Sequence, residues 1–260
     1  MANNLTRKAA IAQAFSKAAP NYDQHAQFQR QVGRDLLAQL PLDLKGLTVL
    51  DLGCGTGYFS QCLVERGAQV VALDLSLSML KQTQIRCQSQ TIQYCQADAE
   101  ALPFAEQQFD MVFSSLALQW CDNLAVPLKE LQRVTKPGGR VVFSTLMDGS
   151  LIELQQAWSK IDTHQHVNVF LNKNQIKFAL AQSGSQNHHL NCYPVQLWYS
   201  SAFNLMRDLK GIGATHVSDR AVGLTKKHTL LRVESEYQRF RNNNNLLPAT
   251  YQVCLGTIFL

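Results

Sequence analysis

The residues best suited to chemistry lie in a glycine-rich turn that follows an acidic residue, Asp51. Glycines stand at alternate positions after it, at Gly53, Gly55 and Gly57. Because glycine has no Cβ, its backbone can turn tightly and approach a bound molecule closely. A dinucleotide-binding fingerprint would have the spacing G-x-G-x-x-G, whereas the third glycine here comes one residue earlier. This spacing favours a cationic nucleoside over a pyrophosphate as the ligand.

The segments on either side of the turn are expected to position it. Residues 47–52 form a short, mostly apolar run, which is typical of a fully buried parallel strand. From Tyr58 onward, apolar residues recur at the spacing of a helix. The pattern therefore predicts a strand, a loop that cradles a ligand, and a helix.

Two later strands are expected to bring further side chains to the same place. The apolar run 69–73 ends at Asp74, where a doubly wound fold presents a carboxylate to a ribose. The alternative for this residue is an exposed acid at a strand end. A fourth predicted strand, 109–114, leads into the segment 115–120. Because ligands of open α/β sheets lie outside the carboxyl ends of the strands, this segment should line the reaction site.

The sequence Asp-Leu-Gly-Cys-Gly-Thr-Gly at 51–57 resembles the first motif of the class I S-adenosylmethionine-dependent methyltransferases. The resemblance implies an α/β, Rossmann-like fold with a mostly parallel seven-stranded sheet, an antiparallel last strand, a helical N-terminal segment and an inserted helical lid. It also implies S-adenosylmethionine as the methyl donor. A degenerate nucleotide fold without a ligand is the alternative for the glycine loop.

The resemblance implies nine cofactor-binding residues, which are Arg30, Asp51, Gly53, Gly55, Asp74, Leu75, Asp98, Ala99 and Ser114. Within this set, the glycine loop and its acid hold the methionyl end, and the acid after the second strand binds the ribose hydroxyls. Asp98 and the backbone amide of Ala99, which follow a third predicted strand at 92–96, read the adenine edge. Arg30 is expected to reach the methionine carboxylate.

Other segments narrow the resemblance to one family. They lie near the start of the chain, after the fourth strand, in a long insertion and near the end, at 15–19, 22–23, 118–120, 209–214 and 250–253. Together they resemble the malonyl-[acyl-carrier protein] O-methyltransferases of biotin synthesis, over nearly the whole chain. The resemblance implies methylation of the free carboxylate of malonyl-phosphopantetheine on acyl-carrier protein, which disguises the group as an ordinary acyl primer. A carboxylate is already a nucleophile at neutral pH, so no general base is expected.

Six residues are candidates for contact with the acyl substrate, and they come from three parts of the chain: Tyr22, His25, Gln119, Trp120, Arg207 and Lys210. The first two are expected to fold over the cofactor from the N-terminal segment, and the next two to stand at the end of the fourth strand. Either base is expected to pair with the malonyl carboxylate or with phosphopantetheine. For the two aromatic residues, a core position with a bonded polar tip is the alternative.

The composition bounds the domain organisation. The 260 residues are 46% hydrophobic, which suffices for one α/β core. We therefore expect a single methyltransferase domain, 1–260, with an N-terminal helical cap at 1–40 and an inserted substrate lid at 201–241. The insertion has eight Lys and Arg residues against four Asp and Glu residues, within a net charge of +5 for the whole chain. This excess would attract an acidic carrier protein, although a solvated helix face is the alternative.

The remaining patterns concern other partners, metal ions and the compartment. No basic and aromatic stripe indicates nucleic acid. Histidines at 164, 166, 188 and 189 have no Cys or carboxylate at ligand spacing, so we expect surface histidines and no metal site. Seven cysteines without paired C-x-x-C motifs predict reduced thiols. The absence of a signal peptide and of about 18 consecutive apolar residues predicts a soluble, cytoplasmic protein without a membrane partner.

Two other functions remain open from the sequence. A methyltransferase for another small carboxylate or for a quinone-like ring would keep every cofactor motif and differ in residues 1–40 and 201–241. A noncatalytic module that binds a carrier protein or senses the cofactor belongs to a different class. The intact set of Asp51, Asp74 and Asp98 argues against such a module, since a sensor has less need of a positioned methyl donor.

Overall fold

The computed structural model describes residues 2–88, 92–214 and 226–260, with side chains from Thr6 onward. Its strands are β1 (Thr48–Leu52), β2 (Gln69–Asp74), β3 (Ile92–Gln96), β4 (Phe109–Ser115), β5 (Thr135–Met147), β6 (His188–Tyr199) and β7 (Leu247–Phe259). They form a seven-stranded sheet in the order β3-β2-β1-β4-β5-β7-β6. β7 is antiparallel to both of its neighbours, and the pairs from β3 to β5 are parallel. The predicted fold is confirmed.

The register brings the carboxyl ends of the central strands to one edge of the sheet. Leu50 of β1 lies opposite Val71 of β2 and Val112 of β4. β2 pairs in turn with β3, where Asp74 lies opposite Gln96. The loops that leave these strands therefore meet at the edge where the sequence predicts ligand binding.

Helices cover both faces of the sheet. They are α1 (Ala2–Ala18), α2 (Tyr22–His25), α3 (Gln27–Leu37), α4 (Tyr58–Glu65), α5 (Leu77–Arg86), α6 (Ala125–Val134), α7 (Ile152–Ser159), α8 (Lys173–Gln182), α9 (Ala202–Gly211) and α10 (Lys227–Tyr237). Successive residues of a strand point to opposite faces. Accordingly, Phe113 packs in the layer of α3, α4 and α7, whereas its neighbour Val112 packs in the layer of α6 and α8.

The helical N-terminal segment is fastened to the sheet by α3. Its residues Phe28, Val32 and Leu36 are spaced one turn apart and are buried. On the same helix, a Cβ at Gly33 would lie 2.1 Å from the ring of Phe59. Glycine at this position thus allows α3 to pack closely against α4, and this contact fixes α1 and α2 above the ligand-binding edge.

β5 contains a turn-forming sequence, Lys-Pro-Gly-Gly-Arg at 136–140. The strand nevertheless begins before it, at Thr135. The pairing with β4 shifts between Phe109–Thr135 and Met111–Arg140. The Pro-Gly-Gly turn is therefore absorbed as an irregularity inside the strand, with φ of +77° at Gly138.

The long insertion between β6 and β7 contains α9 and α10. Residues 215–225, with the charged Asp219 and Arg220 of the predicted lid, lie outside the described residues. α10 is anchored by Tyr237, which is fully buried and donates a hydrogen bond of 2.8 Å to the carbonyl of Pro248. None of the described helices has the length and apolar character needed to cross a membrane.

Candidate active site

The glycine loop after β1 forms one wall of a cavity at the sheet edge. Gly53 and Gly55 have φ of +73° and +56°, which favour glycine. A Cβ at Gly53 would lie 2.4 Å from the Cβ of Ala117, whereas a Cβ at Gly55 would meet nothing within 4 Å. The first glycine is needed for packing against the loop after β4. The second leaves an open surface that faces the cavity and suits a ligand.

Asp51, at the end of β1, is buried beneath this loop. It is 2% exposed, and it accepts a hydrogen bond of 2.5 Å from the hydroxyl of Ser60. Burial raises the pKa of its carboxyl to about 7, against the lowering effect of Ser60, and the nearby charge of Asp74 adds to the rise. No described residue forms an ion pair with it. A buried acid of this kind suits the positive charge of a ligand.

Asp74, at the end of β2, ties two loops to the cavity. One carboxylate oxygen accepts a hydrogen bond of 2.9 Å from the backbone N–H of Gly55, and the other accepts 2.8 Å from that of Ser76. Burial raises its pKa to about 6, although these backbone hydrogen bonds lower it. Leu75 lies beside it in the cavity wall. Each carboxylate oxygen keeps a second lone pair for a ligand hydroxyl.

The third acid, Asp98, stands after β3 with Ala99 in the same cavity wall. It accepts a hydrogen bond of 3.0 Å from the backbone N–H of Glu100 and is paired with Lys8 of α1. Burial alone would lower the pKa of Lys8, but its bonds to Asp98 and Glu100 raise it. This lysine, which the sequence did not indicate, clamps α1 onto the end of the cavity.

α1 closes the cavity with one face. Lys8, Ile11 and Phe15 recur at i, i+3 and i+7 and all line it. On the same helix, the hydroxyls of Ser16 and Ser76 lie 2.8 Å apart, and Arg7 pairs with Asp122. The helical spacing is the signal that would have identified this face.

The cavity continues toward Asp51 as a second chamber. The first chamber has an empty volume of about 770 Å³ and the second about 450 Å³, and the two share Tyr22, Gly53, Gly55 and Ser115 in their walls. We refer to both chambers together as the cofactor cavity. Ser114 has a fully buried side chain and lines neither chamber, because it points to the opposite face of β4 from Ser115.

Arg30 lies at the Asp51 end of the cofactor cavity. It pairs with Asp23 at 3.1 Å, and its guanidinium carbon is 5.0 Å from the centre of the Tyr58 ring. Its Nε is buried without a hydrogen-bond partner. Asp23, which the sequence did not single out for the site, also accepts hydrogen bonds from Arg86 and from the hydroxyl of Thr56. It thereby holds α2 against the glycine loop.

A separate cavity of about 710 Å³ adjoins the cofactor cavity, and we call it the acceptor cavity. It shares four residues with the first chamber, which are Phe15, Tyr22, Leu116 and Trp120. Its polar lining includes Gln29, Gln119, His166 and Asn168, and no Lys or Arg appears among its described lining residues. The arrangement can bring two small molecules face to face across a wall of mainly apolar groups.

Two of the predicted substrate residues, Gln119 and Trp120, line the acceptor cavity side by side. Trp120 packs edge-on against Phe15 with ring centres 5.2 Å apart. Gln119 donates a hydrogen bond of 2.8 Å to the carbonyl of Leu116, while its buried Oε1 has no partner. Both residues belong to the short helix 118–120 after β4. Tyr22 completes the contact between the two cavities, since it lines both.

The other three predicted substrate residues lie elsewhere. The imidazole Nδ1 of His25 is 2.8 Å from a carboxylate oxygen of Asp208. His25 lines a side cavity with Trp198 and Tyr199, and it lines neither the cofactor nor the acceptor cavity. Arg207 and Lys210 stand on the outer face of α9 and are exposed. Their positions, one turn apart, direct them to solvent while Leu205 and Leu209 of the same helix pack inward.

Comparison with known proteins identifies the family. A family model described as a methyltransferase domain matches residues 50–143. A malonyl-[acyl-carrier protein] O-methyltransferase of Hamiltonella defensa is 42% identical over 97% of this chain and 95% of its own length. A protein of the same name from Serratia marcescens is 42% identical over 99% of this chain and 98% of its own length.

The chain belongs to the malonyl-[acyl-carrier protein] O-methyltransferase family. The prediction of an S-adenosylmethionine-dependent O-methyltransferase is thus confirmed at the level of the family. A Cellvibrio japonicus relative, named biotin biosynthesis bifunctional protein BioHC, matches 95% of this chain at 40% identity over 49% of its own length. Within this family the chain therefore corresponds to one part of a bifunctional protein as well as to whole enzymes.

Solved structures agree with the fold of this methyltransferase. A methyltransferase structure from Bacillus halodurans superposes with a TM-score of 0.63 at 19% identity, over 87% of this chain and 97% of that one. A Haemonchus contortus phosphoethanolamine N-methyltransferase, solved with S-adenosyl-L-methionine, gives a TM-score of 0.60 at 18% identity, over 94% and 57%. At these identities the likeness concerns the fold alone.

Proposed function

We propose that this chain transfers a methyl group from S-adenosylmethionine to the free carboxylate of a malonyl group held by acyl-carrier protein, and that the ester serves biotin synthesis. The observation that carries the proposal is the shared wall of the two cavities. One cavity presents buried acids and the other is neutral and largely apolar. Family membership supports the same acceptor, since the relatives are named for it.

The residues of the cofactor cavity fit the proposed methyl donor without a metal. Asp74 would bind the ribose hydroxyls, Asp98 and the amide of Ala99 the adenine, and Arg30 the methionine carboxylate. Asp51 offers a buried negative charge to the cationic end of the ligand. When bound, S-adenosylmethionine supplies an electrophilic methyl group on a sulfonium, whose departure as a neutral thioether requires no proton transfer.

The acceptor cavity would favour the reaction by excluding water. Its described lining is mostly apolar, with Leu146, Leu151 and Leu154 on one side. Methyl transfer removes the charge of the attacking carboxylate, so poorly hydrated surroundings disfavour the separated ions more than the transition state. Alignment of two reactants across a fixed wall lowers the barrier further. A base is not required, because the carboxyl group is already ionised at neutral pH.

Tyr22 is suited to orient the attacking carboxylate. It lines both cavities, and burial, followed by the charges of Asp74 and Asp23, raises the pKa of its phenol well above the ordinary value. The phenol therefore stays protonated at neutral pH and acts as a hydrogen-bond donor. A donor to one carboxylate oxygen leaves the other oxygen free to attack.

The exposed bases of α9 are better placed for the carrier than for the carboxylate. Arg207 and Lys210 do not reach the acceptor cavity, and an acidic carrier protein or its phosphopantetheine phosphate is the partner that exposed charges can attract.

All seven cysteines are free thiols, which suits a reducing compartment such as the cytoplasm. We place the reaction there.

The test is methyl transfer from labelled S-adenosylmethionine to malonyl-carrier protein, with malonyl-coenzyme A and acetyl-carrier protein in parallel. Ester formation on malonyl-carrier protein, and none on acetyl-carrier protein, would support the proposal. The variant Asp74→Asn serves as the control with weakened cofactor binding. Cofactor binding without labelling of any acyl group would contradict the carboxylate acceptor and favour another small acid or a quinone-like ring.

A further inference from the structure

His166 is the histidine of the acceptor cavity. The sequence predicts a surface histidine here, but the structure places the residue in the cavity wall between α7 and α8, with a side chain 9% exposed. Among the described lining residues, it is the one side chain able to carry a positive charge near neutral pH. The proposed substrate enters this cavity with a negative charge, so the position of His166 has chemical consequences.

The ring of His166 is held on two sides. Its Nε2 lies 2.9 Å from a carboxylate oxygen of Asp162, and its plane stacks on Trp158 with ring centres 3.6 Å apart and an angle of 9°. Asp162 is fixed in turn by the backbone N–H of His164, which donates to the same oxygen at 2.9 Å. An aspartate on one ring nitrogen sets the ring orientation and leaves the other nitrogen, Nδ1, without a hydrogen-bond partner among the described residues and available to a ligand.

Asp162 stays negatively charged in this arrangement. Burial alone would raise the pKa of its carboxyl, but the hydrogen bonds from His166 and from the backbone of His164 lower it. The cavity thus contains an imidazole whose orientation is fixed by a carboxylate.

We infer that His166 is the specificity-determining residue of the acceptor cavity, where its Nδ1–H binds one oxygen of the malonyl carboxylate. This inference rests on the proposed methylation of a malonyl carboxylate. A charge-assisted hydrogen bond is stronger than a neutral one, so the site prefers the free acid to its methyl ester. The same preference releases the product, because the ester no longer carries the charge that His166 binds.

Other titratable groups around His166 do not confuse a measurement near neutral pH. Tyr22 of α2 and Tyr251 of β7 line the same cavity, and burial raises the pKa of both phenols, with smaller increases from nearby acids. Both phenols therefore stay neutral in this range. Within the described part of the chain, Asp162 and His164, on the same segment as His166, are the other titratable groups near the ring.

The test compares His166→Gln with His164→Gln, an exposed histidine two residues away in the same segment. Calorimetry would measure binding of malonyl-pantetheine and of its methyl ester in the presence of S-adenosylhomocysteine. For the wild type and for His164→Gln, we expect the acid to bind about tenfold more tightly than the ester or better. For His166→Gln, we expect the preference to disappear and the KM for malonyl-carrier protein to rise more than kcat falls.

A further variant adds a second measurement. The variant Asp162→Asn, which keeps the ring but removes its counterion, should show a reduced preference for the acid. Equal preference for the acid in the wild type and in folded His166→Gln would overturn the inference. If the wild type methylates no malonyl substrate, the proposed function fails, yet the binding comparison still tests His166.

Discussion

The cofactor cavity and the acceptor cavity share a wall but are built in different ways. The cofactor cavity takes three of its acids from successive strand ends, at Asp51, Asp74 and Asp98. The acceptor cavity combines α1, α2, α3, the helix after β4, the segment between α7 and α8, and α9. Strand ends that meet at a sheet edge thus supply these acids of the first cavity, whereas the second cavity depends on long-range packing alone.

The two cavities also differ in their electrostatics. The cofactor cavity keeps carboxylates that burial holds near neutral pKa values, about 7 for Asp51 and about 6 for Asp74. The described lining of the acceptor cavity has amides and His166, which is paired with Asp162. The first cavity is therefore destabilised without a cation, whereas the second is already neutral. The following experiments act first on the cofactor side and then across the shared wall to the acceptor side.

The largest effect is expected from Asp51→Asn, in stability rather than in activity. The carboxyl pKa is raised from its ordinary value of 3.8 to about 7 in the folded chain. Between these values the folded chain binds more protons than the unfolded chain, so the free energy of unfolding falls as pH rises, and the loss is complete above pH 7. About three pKa units correspond to roughly 4 kcal/mol as an upper limit.

We therefore expect the cofactor-free variant to be more stable than the wild type at pH 8, by about 2 kcal/mol or more, and equal near pH 4. Its affinity for S-adenosylmethionine should nevertheless fall. Urea denaturation at pH 4, 6 and 8 measures the difference. Asp43→Asn is the control, because this acid is exposed. If the free energy of unfolding fell with pH no more steeply in the wild type than in Asp51→Asn, burial would not destabilise the Asp51 carboxylate.

Asp74→Asn should affect the cofactor cavity alone. The substitution removes a charged acceptor from the ribose site and weakens the bonds that fix Gly55 and Ser76. Two hydrogen bonds to a charged group are each worth about 1.5–3 kcal/mol, so we expect the affinity for S-adenosylmethionine to fall about a hundredfold. Calorimetry with malonyl-pantetheine should find the acceptor cavity little changed. A comparable loss there would mean that the two cavities are one cooperative site.

The difference in construction explains what the sequence could predict. The glycine loop, Asp74 and Asp98 follow strands whose apolar runs are visible in the sequence, and parallel register brings such ends together whatever the rest of the fold does. His166 could not be placed in this way, because its cavity depends on how the segment between α7 and α8 packs against β7 and α9. The sequence predicts no carboxylate partner at ligand spacing for His166, yet Asp162, four residues earlier, pairs with it in the folded chain.

The same reasoning applies to predicted site residues that do not line the cavity where the sequence predicts them. Ser114 and Ser115 are adjacent in β4, and a one-residue difference decides which side chain faces the cavity. His25 belongs to α2, the helix that covers the cofactor cavity. Its ring nevertheless lies outside that cavity, because Gly211 of α9 leaves room for it. Contacts of this kind depend on elements almost two hundred residues apart.

Tyr22→Phe acts on the wall that both cavities share. Removal of the hydroxyl eliminates one hydrogen bond to the acceptor carboxylate and leaves the aromatic packing intact. We expect kcat to fall about tenfold, which corresponds to one hydrogen bond to a charged group, while the affinity for S-adenosylmethionine changes by less than about twofold. Tyr94→Phe is the matched control, since that hydroxyl donates to the carbonyl of Cys87 and lies outside both cavities. An unchanged kcat for Tyr22→Phe would assign the tyrosine to packing.

The smallest effect is expected from the charged side chains of Arg207 and Lys210 on α9. These two side chains line neither cavity. Arg207→Glu combined with Lys210→Glu should raise the KM for malonyl-carrier protein by about threefold to tenfold at low salt, because it reverses the local potential that attracts an acidic carrier. Moderate salt should reduce the difference by screening, and malonyl-pantetheine, which lacks the carrier, should show no change. Lys129→Glu with Lys177→Glu makes the same charge change at exposed positions of α6 and α8, in the opposite layer of the sheet. Equal effects of the two double variants would mean that the carrier responds to net charge and that α9 is no special docking surface.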